Sequence, residues 1–212
     1  MKGSTHLAIG TAIGIAAAAY YPFTLSNAAL YVSVAAFSAL SADLDGTSIL
    51  SSKISKVSKL LRELLLWGGI TLALTALYLY FVRDFFDLTL TSVAVMIFLI
   101  GFITKEGVIR NTLVSIIGLG IIYAGFYWQW GWLMGFGLFT AWAPWLKHRG
   151  MTHTIWAAVI WGSLGYGLQN QLQVEGLMNV SFIGYLSHLV ADTVTPAGVK
   201  WLYPLYKKSI KL

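Results

Sequence analysis

Apolar runs about as long as a bilayer is thick fill this chain almost from end to end. A helix needs about 20 mostly apolar residues to cross the hydrocarbon core of a membrane. Eight stretches meet or approach that length: 5–21, 26–42, 61–82, 88–104, 111–127, 131–146, 153–170 and 178–195. The shorter ones leave room for little tilt or for a partly re-entrant path. Only 10% of the residues are charged and 58% are apolar, where a soluble domain would carry roughly 25% charged. The expected fold class is therefore all-α, a polytopic integral membrane helix bundle forming a single domain over 1–212. The first run, ending in Tyr20-Tyr21-Pro22 and not in a small-residue cleavage site, reads as a retained span. The division between 111–127 and 131–146 rests on Trp128-Gln129-Trp130-Gly131 as a tight interfacial turn; one long, kinked helix is the alternative.

The bases set an orientation. With a cytoplasmic N-terminus and eight crossings, every one of the 14 lysines and arginines except Arg83 falls on the cytoplasmic side, as the positive-inside rule requires. Both termini are then cytoplasmic. The net charge of +6 is spread over short loops between apolar runs, a pattern that fits membrane topology and anionic lipid rather than nucleic acid. Lys53, Lys56 and Lys59, three apart in 51–62, suggest an interfacial amphipathic helix or a basic loop at the head groups.

That orientation, chosen without regard to metal-ligating residues, gathers them. His6 opens the first span, Asp43 and Asp45 close the second, His148 and His153 flank the start of the seventh, and His188 and Asp192 lie near the end of the eighth. All seven arrive at one membrane level. Ionisable groups in such a setting are costly, so their convergence points to a site. His188 and Asp192, four apart, share a helix face, either as a metal half-site or as a structural hydrogen-bonded pair. Gly184 one step earlier, like Gly10 and Gly14 after His6, invites close helix approach. Asp43-Leu44-Asp45-Gly46 puts two acids at a helix C-terminus, against the macrodipole, and calls for a cation such as a metal or Arg149. His148 and His153, five apart, need a turn at Gly150 to meet. Thr152 is expected to cap the seventh helix and, with Arg149, to bind phosphate. The chain has no cysteine, so any metal is held by nitrogen and oxygen. That donor set suits one or two divalent ions, zinc first, with manganese or iron as alternatives.

At these residues the chain resembles the YdjM-like family of inner-membrane metal-dependent hydrolases. The matching stretches are Thr5-His6-Leu7 with Gly10, Leu44-Asp45, His148-Arg149-Gly150-Met151-Thr152-His153, and Gly184 to Asp192 followed by Thr195-Pro196-Ala197-Gly198; Trp201-Leu202-Tyr203-Pro204 also fits. Ala42 stands where the family pattern usually has Pro, and Thr154 where it usually has Ser. The resemblance, with a more distant likeness to zinc-dependent phospholipases C in the His-(x)3-acid spacing, implies a metal-dependent hydrolase.

The functional expectation is a membrane-bound enzyme cleaving a phosphoester of a lipid or lipid-linked substrate at the cytoplasmic interface. His6, Asp43, Asp45, His148, His153, His188 and Asp192 would hold metal, Asp43 or Asp192 would act as general base, and Arg149 would stabilise transition-state charge. The rivals are a proton- or metal-coupled transporter, which would need polar groups on both sides of the membrane, and a structural or regulatory bundle closed around a metal.

Overall fold

A computed structural model describes residues 1–212. The fold is all-α, with eight helices: α1 (Gly3–Tyr20), α2 (Leu25–Ser41), α3 (Ser52–Arg83), α4 (Leu88–Ile103), α5 (Glu106–Tyr127), α6 (Gly131–Trp142), α7 (Ile155–Leu172) and α8 (Leu177–Thr193). There are no sheet strands, only one isolated antiparallel bridge between Val199 and Ile210. Side chains start several helices: Thr24, Asp87 and Thr154 accept from the backbone N–H three residues on, at Asn27, Leu90 and Ala157, satisfying donors that the helix leaves open. Three stretches are long and apolar enough to cross a membrane: Leu25–Asp45, Ser52–Arg83 and Glu106–Tyr127.

Several boundaries differ from expectation. The basic segment takes the helical alternative and not the loop: from Ser52 on it is the first part of α3, which runs unbroken for 32 residues. At ~1.5 Å per residue α3 is about 48 Å long, well beyond a hydrocarbon core of about 30 Å. The stretch 131–146 is α-helical only to Trp142 and then tightens into a 3-10 turn, Ala143–Trp145, with Pro144 in its first turn. α5 and α6 are two helices: Gln129 adopts φ 59 between them, and the Trp130 N–H donates to the Gly125 carbonyl, folding the chain back.

The chain forms two compact units, Ser52–Leu113 and the combination of Met1–Ser51 with Val114–Leu212. In the first, α3 and α4 are antiparallel and meet at glycines. A Cβ on Gly69 would lie 2.4 Å from the Phe98 nitrogen, and one on Gly101 2.5 Å from that of Leu66. Ser58 and Arg62 donate to the carbonyls of Glu106 and Thr104.

The other unit uses the same device more extensively. Gly10 and Gly14 of α1 press on Ala35, Ala36 and Val32 of α2, and Gly184 of α8 presses on Ala35 from another side. Gly118 and Gly137 lock α5 against α6, and Gly165 sets α7 against Ser181 of α8. The contacting pairs make α1 antiparallel to α2, α2 parallel to α8, α8 antiparallel to α7, and α7 antiparallel to α6. The start of α1, the start of α7 and the ends of α2, α6 and α8 therefore share one end of the unit. Apolar side chains fill the interior around Trp161, Tyr185 and Leu189 and around Tyr31, Leu177 and Val180.

Candidate metal centre

The end where α1 and α7 begin and α2 and α8 finish carries all seven expected ligand residues. His6 comes from the first turns of α1, and Asp43 and Asp45 from the 3-10 turn Ala42–Asp45 that closes α2. His148 lies in the loop before α7, His153 in the 3-10 turn Met151–His153, and His188 and Asp192 on one face of α8. The turn at Gly150, closed by its N–H on the Lys147 carbonyl at 2.8 Å, brings the His148 and His153 rings to 5.2 Å between centroids. Arg149 within that turn adopts φ 59, a left-handed conformation uncommon for a side-chain-bearing residue.

Two imidazoles are oriented by acceptors behind them. His188 Nδ1–H donates to the Ala39 carbonyl at 2.7 Å. His153 Nδ1–H donates to the Thr152 hydroxyl at 3.0 Å and lies 3.4 Å from Asp45 Oδ2. With both Nδ1 atoms turned to these partners, the two Nε2 atoms face each other at 3.3 Å. Asp43 Oδ1 lies 3.7 Å from His153 Nε2 and 3.5 Å from His188 Nε2. Asp192 Oδ2 is 3.8 Å from each. Two imidazole nitrogens and two carboxylates so arranged call for a positive charge among them, either a proton on an imidazole or a metal ion. A tetrahedral ion bound at about 2.0–2.1 Å has its ligands about 3.3–3.4 Å apart, close to the separations here, and His153, His188 and Asp192 form one group able to share a single divalent cation.

His6 extends this set. Its ring stacks on His188 at 3.8 Å between centroids, and Nε2 is 3.4 Å from Asp192 Oδ1. Its Nδ1 is buried without a hydrogen-bond partner, an exception in folded proteins that a bound ion or water would resolve. Three ligand groups are geometrically able to hold an ion: His6, Asp43 and His188; Asp43, His148 and His153; and His153, His188 and Asp192. They overlap in a single cluster.

Asp45 has a different position from the other acids. Its buried carboxylate accepts from His148 Nδ1 at 2.7 Å, from the Arg149 backbone N–H at 3.2 Å and from the Thr152 hydroxyl. It belongs to none of the three ligand groups and instead orients the imidazoles. Carboxylates behind metal-binding histidines commonly play this part.

Two expectations for the histidine-rich loop change. Thr152 does not cap α7. Thr154 does, with its hydroxyl accepting from the Ala157 N–H, while Thr152 is buried with its hydroxyl on Asp45. The Arg149 guanidinium does not offset Asp43 and Asp45; it pairs with Asp192 Oδ2 at 3.2 Å and donates to Thr195 Oγ1 and the Gly198 carbonyl. Asp192 also receives the Met1 amino group at 2.6 Å. Sequence reasoning missed the Ala39 carbonyl, which carries no side-chain signal, and Tyr185, which is fully buried and donates through its hydroxyl to the Thr152 carbonyl at 2.6 Å. Tyr185 sits one residue after Gly184 on the helix of His188 and braces the turn that carries His153.

Burial gives the cluster a direction. His6, His153, His188 and Asp192 are enclosed, whereas the Asp43 side chain is 19% exposed and that of His148 52%. Access is from the Asp43–His148 side.

The model of the YdjM inner membrane protein family matches residues 1–212, the whole chain. The chain belongs to this family. It is thus an inner membrane protein, in agreement with its long apolar helices. No curated protein and no solved structure matches it. For this YdjM-family chain the inner membrane is the setting in which the buried carboxylates and imidazoles have to be reconciled with their surroundings.

Proposed function

We propose that this protein is a membrane-embedded, metal-dependent hydrolase that cleaves a phosphoester of a lipid or lipid-linked substrate. The observation that supports the reading is the pair of Nε2 atoms, of His153 and His188, facing each other at 3.3 Å with carboxylate oxygens of Asp43 and Asp192 within 3.8 Å. His153, His188 and Asp192 would hold the first divalent ion, zinc before manganese or iron for a nitrogen–oxygen set. His6 and His148 are the further donors for a second. A bound ion would supply Lewis-acid polarisation of a phosphoryl oxygen and a water acidic enough to yield hydroxide near neutral pH.

The chain's own groups divide the remaining work. Asp43 is the most open of the three acids and is better placed than Asp192 to take a proton from water. Asp192 is enclosed by Arg149, His6 and the Met1 amino group. His148, held through Nδ1 by Asp45 and half in solvent, can pass a proton to bulk. Arg149 fixes Asp192 and presents positive charge for a phosphate oxygen.

The eight helices would all cross or enter the membrane with both termini cytoplasmic, so that the cluster opens at the cytoplasmic interface among lipid head groups. A conducting pathway would need ligand groups along its length, whereas every ligand group here draws on one cluster at one end. The test is elemental analysis of purified protein beside hydrolysis assays on phospholipids and lipid-linked phosphates. Near-stoichiometric metal with activity, both lost in His188→Ala, is expected. Protein that takes up no ion under reconstitution with zinc, manganese or iron would overturn the reading.

A further inference from the structure

Past α8 the chain turns back over the metal end. The segment 194–212 carries four lysines, Lys200, Lys207, Lys208 and Lys211, and no acid, so their charge is not neutralised locally. Four lysines alone describe a solvated face at a membrane. What sets this segment apart is how it is held. Val199 and Ile210 exchange backbone hydrogen bonds at 2.9 and 2.8 Å, the Leu212 N–H donates to the Thr193 carbonyl at 3.1 Å, and the Ile155 N–H donates to the Trp201 carbonyl at 2.9 Å. Trp201 Nε1–H donates to Thr193 Oγ1 at 3.0 Å.

This fixing places Lys211 beside Arg149. A Cβ on Gly198 would lie 3.1 Å from the Lys211 Cβ, and the Gly198 carbonyl accepts Arg149 Nη1–H at 3.2 Å. Gly198 puts no side chain between the two. Val199 is buried among Trp161, Tyr185 and Leu189, whereas Lys211 is exposed. Arg149 also has donors to spare. Its Nη1 serves Thr195 Oγ1 and the Gly198 carbonyl, and its Nη2 lies 3.2 Å from Asp192 Oδ2. Nε–H, on the edge that forms the guanidinium fork with Nη2, has no protein acceptor, and the side chain is partly exposed.

We propose that Arg149 and Lys211 clamp the phosphate dianion of a phosphomonoester, lipid-borne or free, beside the metal cluster. A phosphomonoester carries about −1.5 to −2 charge near pH 7 and three terminal acceptor oxygens. The guanidinium fork takes two of these oxygens and the ammonium the third. A phosphodiester offers two such oxygens and one charge, and leaves the lysine unmatched. The clamp's role as a substrate site rests on the hydrolase reading. There it makes the substrate a phosphate monoester and takes the part expected of Thr152, which is buried with its hydroxyl on Asp45.

The experiment is isothermal titration calorimetry on the full-length protein in detergent, as purified and after zinc loading. The ligands are dioctanoyl phosphatidic acid, the methyl phosphodiester with the same tails, and inorganic phosphate. The monoester lipid should bind at least tenfold more tightly than the diester, the lower end for a hydrogen bond to a charged group. Lys211→Ala should remove that preference and Lys211→Arg should keep it. Lys207→Ala, which removes an equal charge four residues away, should leave it unchanged. Inorganic phosphate that displaces phosphatidic acid at equal concentration identifies free phosphate as the ligand, and weaker displacement identifies a lipid; the clamp stands in both. Equal affinity for the two lipids in the unaltered protein, or equal losses in Lys207→Ala and Lys211→Ala, would overturn it. The two readings fail separately. Monoester preference without turnover removes the hydrolase alone, and turnover without that preference removes the clamp alone.

Discussion

Among single residues, Asp45 and Asp192 show how identical side chains acquire different work from what surrounds them. Asp45 is surrounded by donors from the His148–His153 loop, so its oxygens are saturated before any ion arrives. Asp192 keeps an oxygen within 3.8 Å of both facing Nε2 atoms. Asp45→Asn should therefore weaken metal binding by roughly 10–100-fold, the usual effect of removing an orienting partner, while a full complement returns at saturating ion. Asp192→Asn should lower the amount bound and not merely the affinity; equal isotherms for the two variants would show that they have the same part. The cap makes a separate prediction. Thr154→Ala should cost about 1 kcal/mol of stability, and Thr152→Val should instead disturb metal binding by freeing Asp45, measurable as a reduced Tm in the first case and altered metal affinity in the second.

Helices in this protein meet through glycine, and the element-scale predictions follow from which glycines face a neighbour. A Cβ on Gly68 would meet nothing within 4 Å, whereas one on Gly69 would lie 2.4 Å from the Phe98 backbone. Gly69→Ala should destabilise the α3–α4 hairpin and Gly68→Ala should be neutral or slightly stabilising by helix propensity, a contrast that thermal melts in detergent can check. Gly14 is the same case in the helix that carries His6. A Cβ there would lie 2.4 Å from Val32 Cα, so Gly14→Val should push α1 off α2, carry His6 away from His188, and lower both Tm and bound metal. The steps of four from His6 to Gly10 and Gly14, and from Gly184 to His188 and Asp192, were legible as packed faces in the sequence. The helical continuity of 52–62 with α3 was not. Three lysines at that spacing describe a polar face equally well whether the helix lies on the membrane or rises out of it.

For the whole molecule, orientation is the property most open to test. The chain has no cysteine, so single cysteines can be placed at Lys147, Lys207, Arg83 and Gln129 without background. A membrane-impermeant thiol reagent added to intact cells should spare the first two and label the last two; the reverse pattern would invert the proposed topology and move the metal cluster to the outer face. Removing metal with a strong chelator should lower Tm, because an ion that binds only the folded state stabilises it by mass action, and readdition should restore it. The sequence alone determined the helical class, the membrane setting and the seven residues of the cluster. Apolar run length, the distribution of bases and the rarity of ionisable groups are properties of the chain read in order. Only the tertiary structure decided which nitrogen of each imidazole faces inward, that Asp45 orients instead of joining the ligand groups, that Arg149 pairs with Asp192, and that Thr154 caps the helix Thr152 was expected to cap. Each of those depends on which backbone carbonyl or carboxylate arrives from a distant helix, as Ala39 does for His188, and such meetings leave no mark in local sequence.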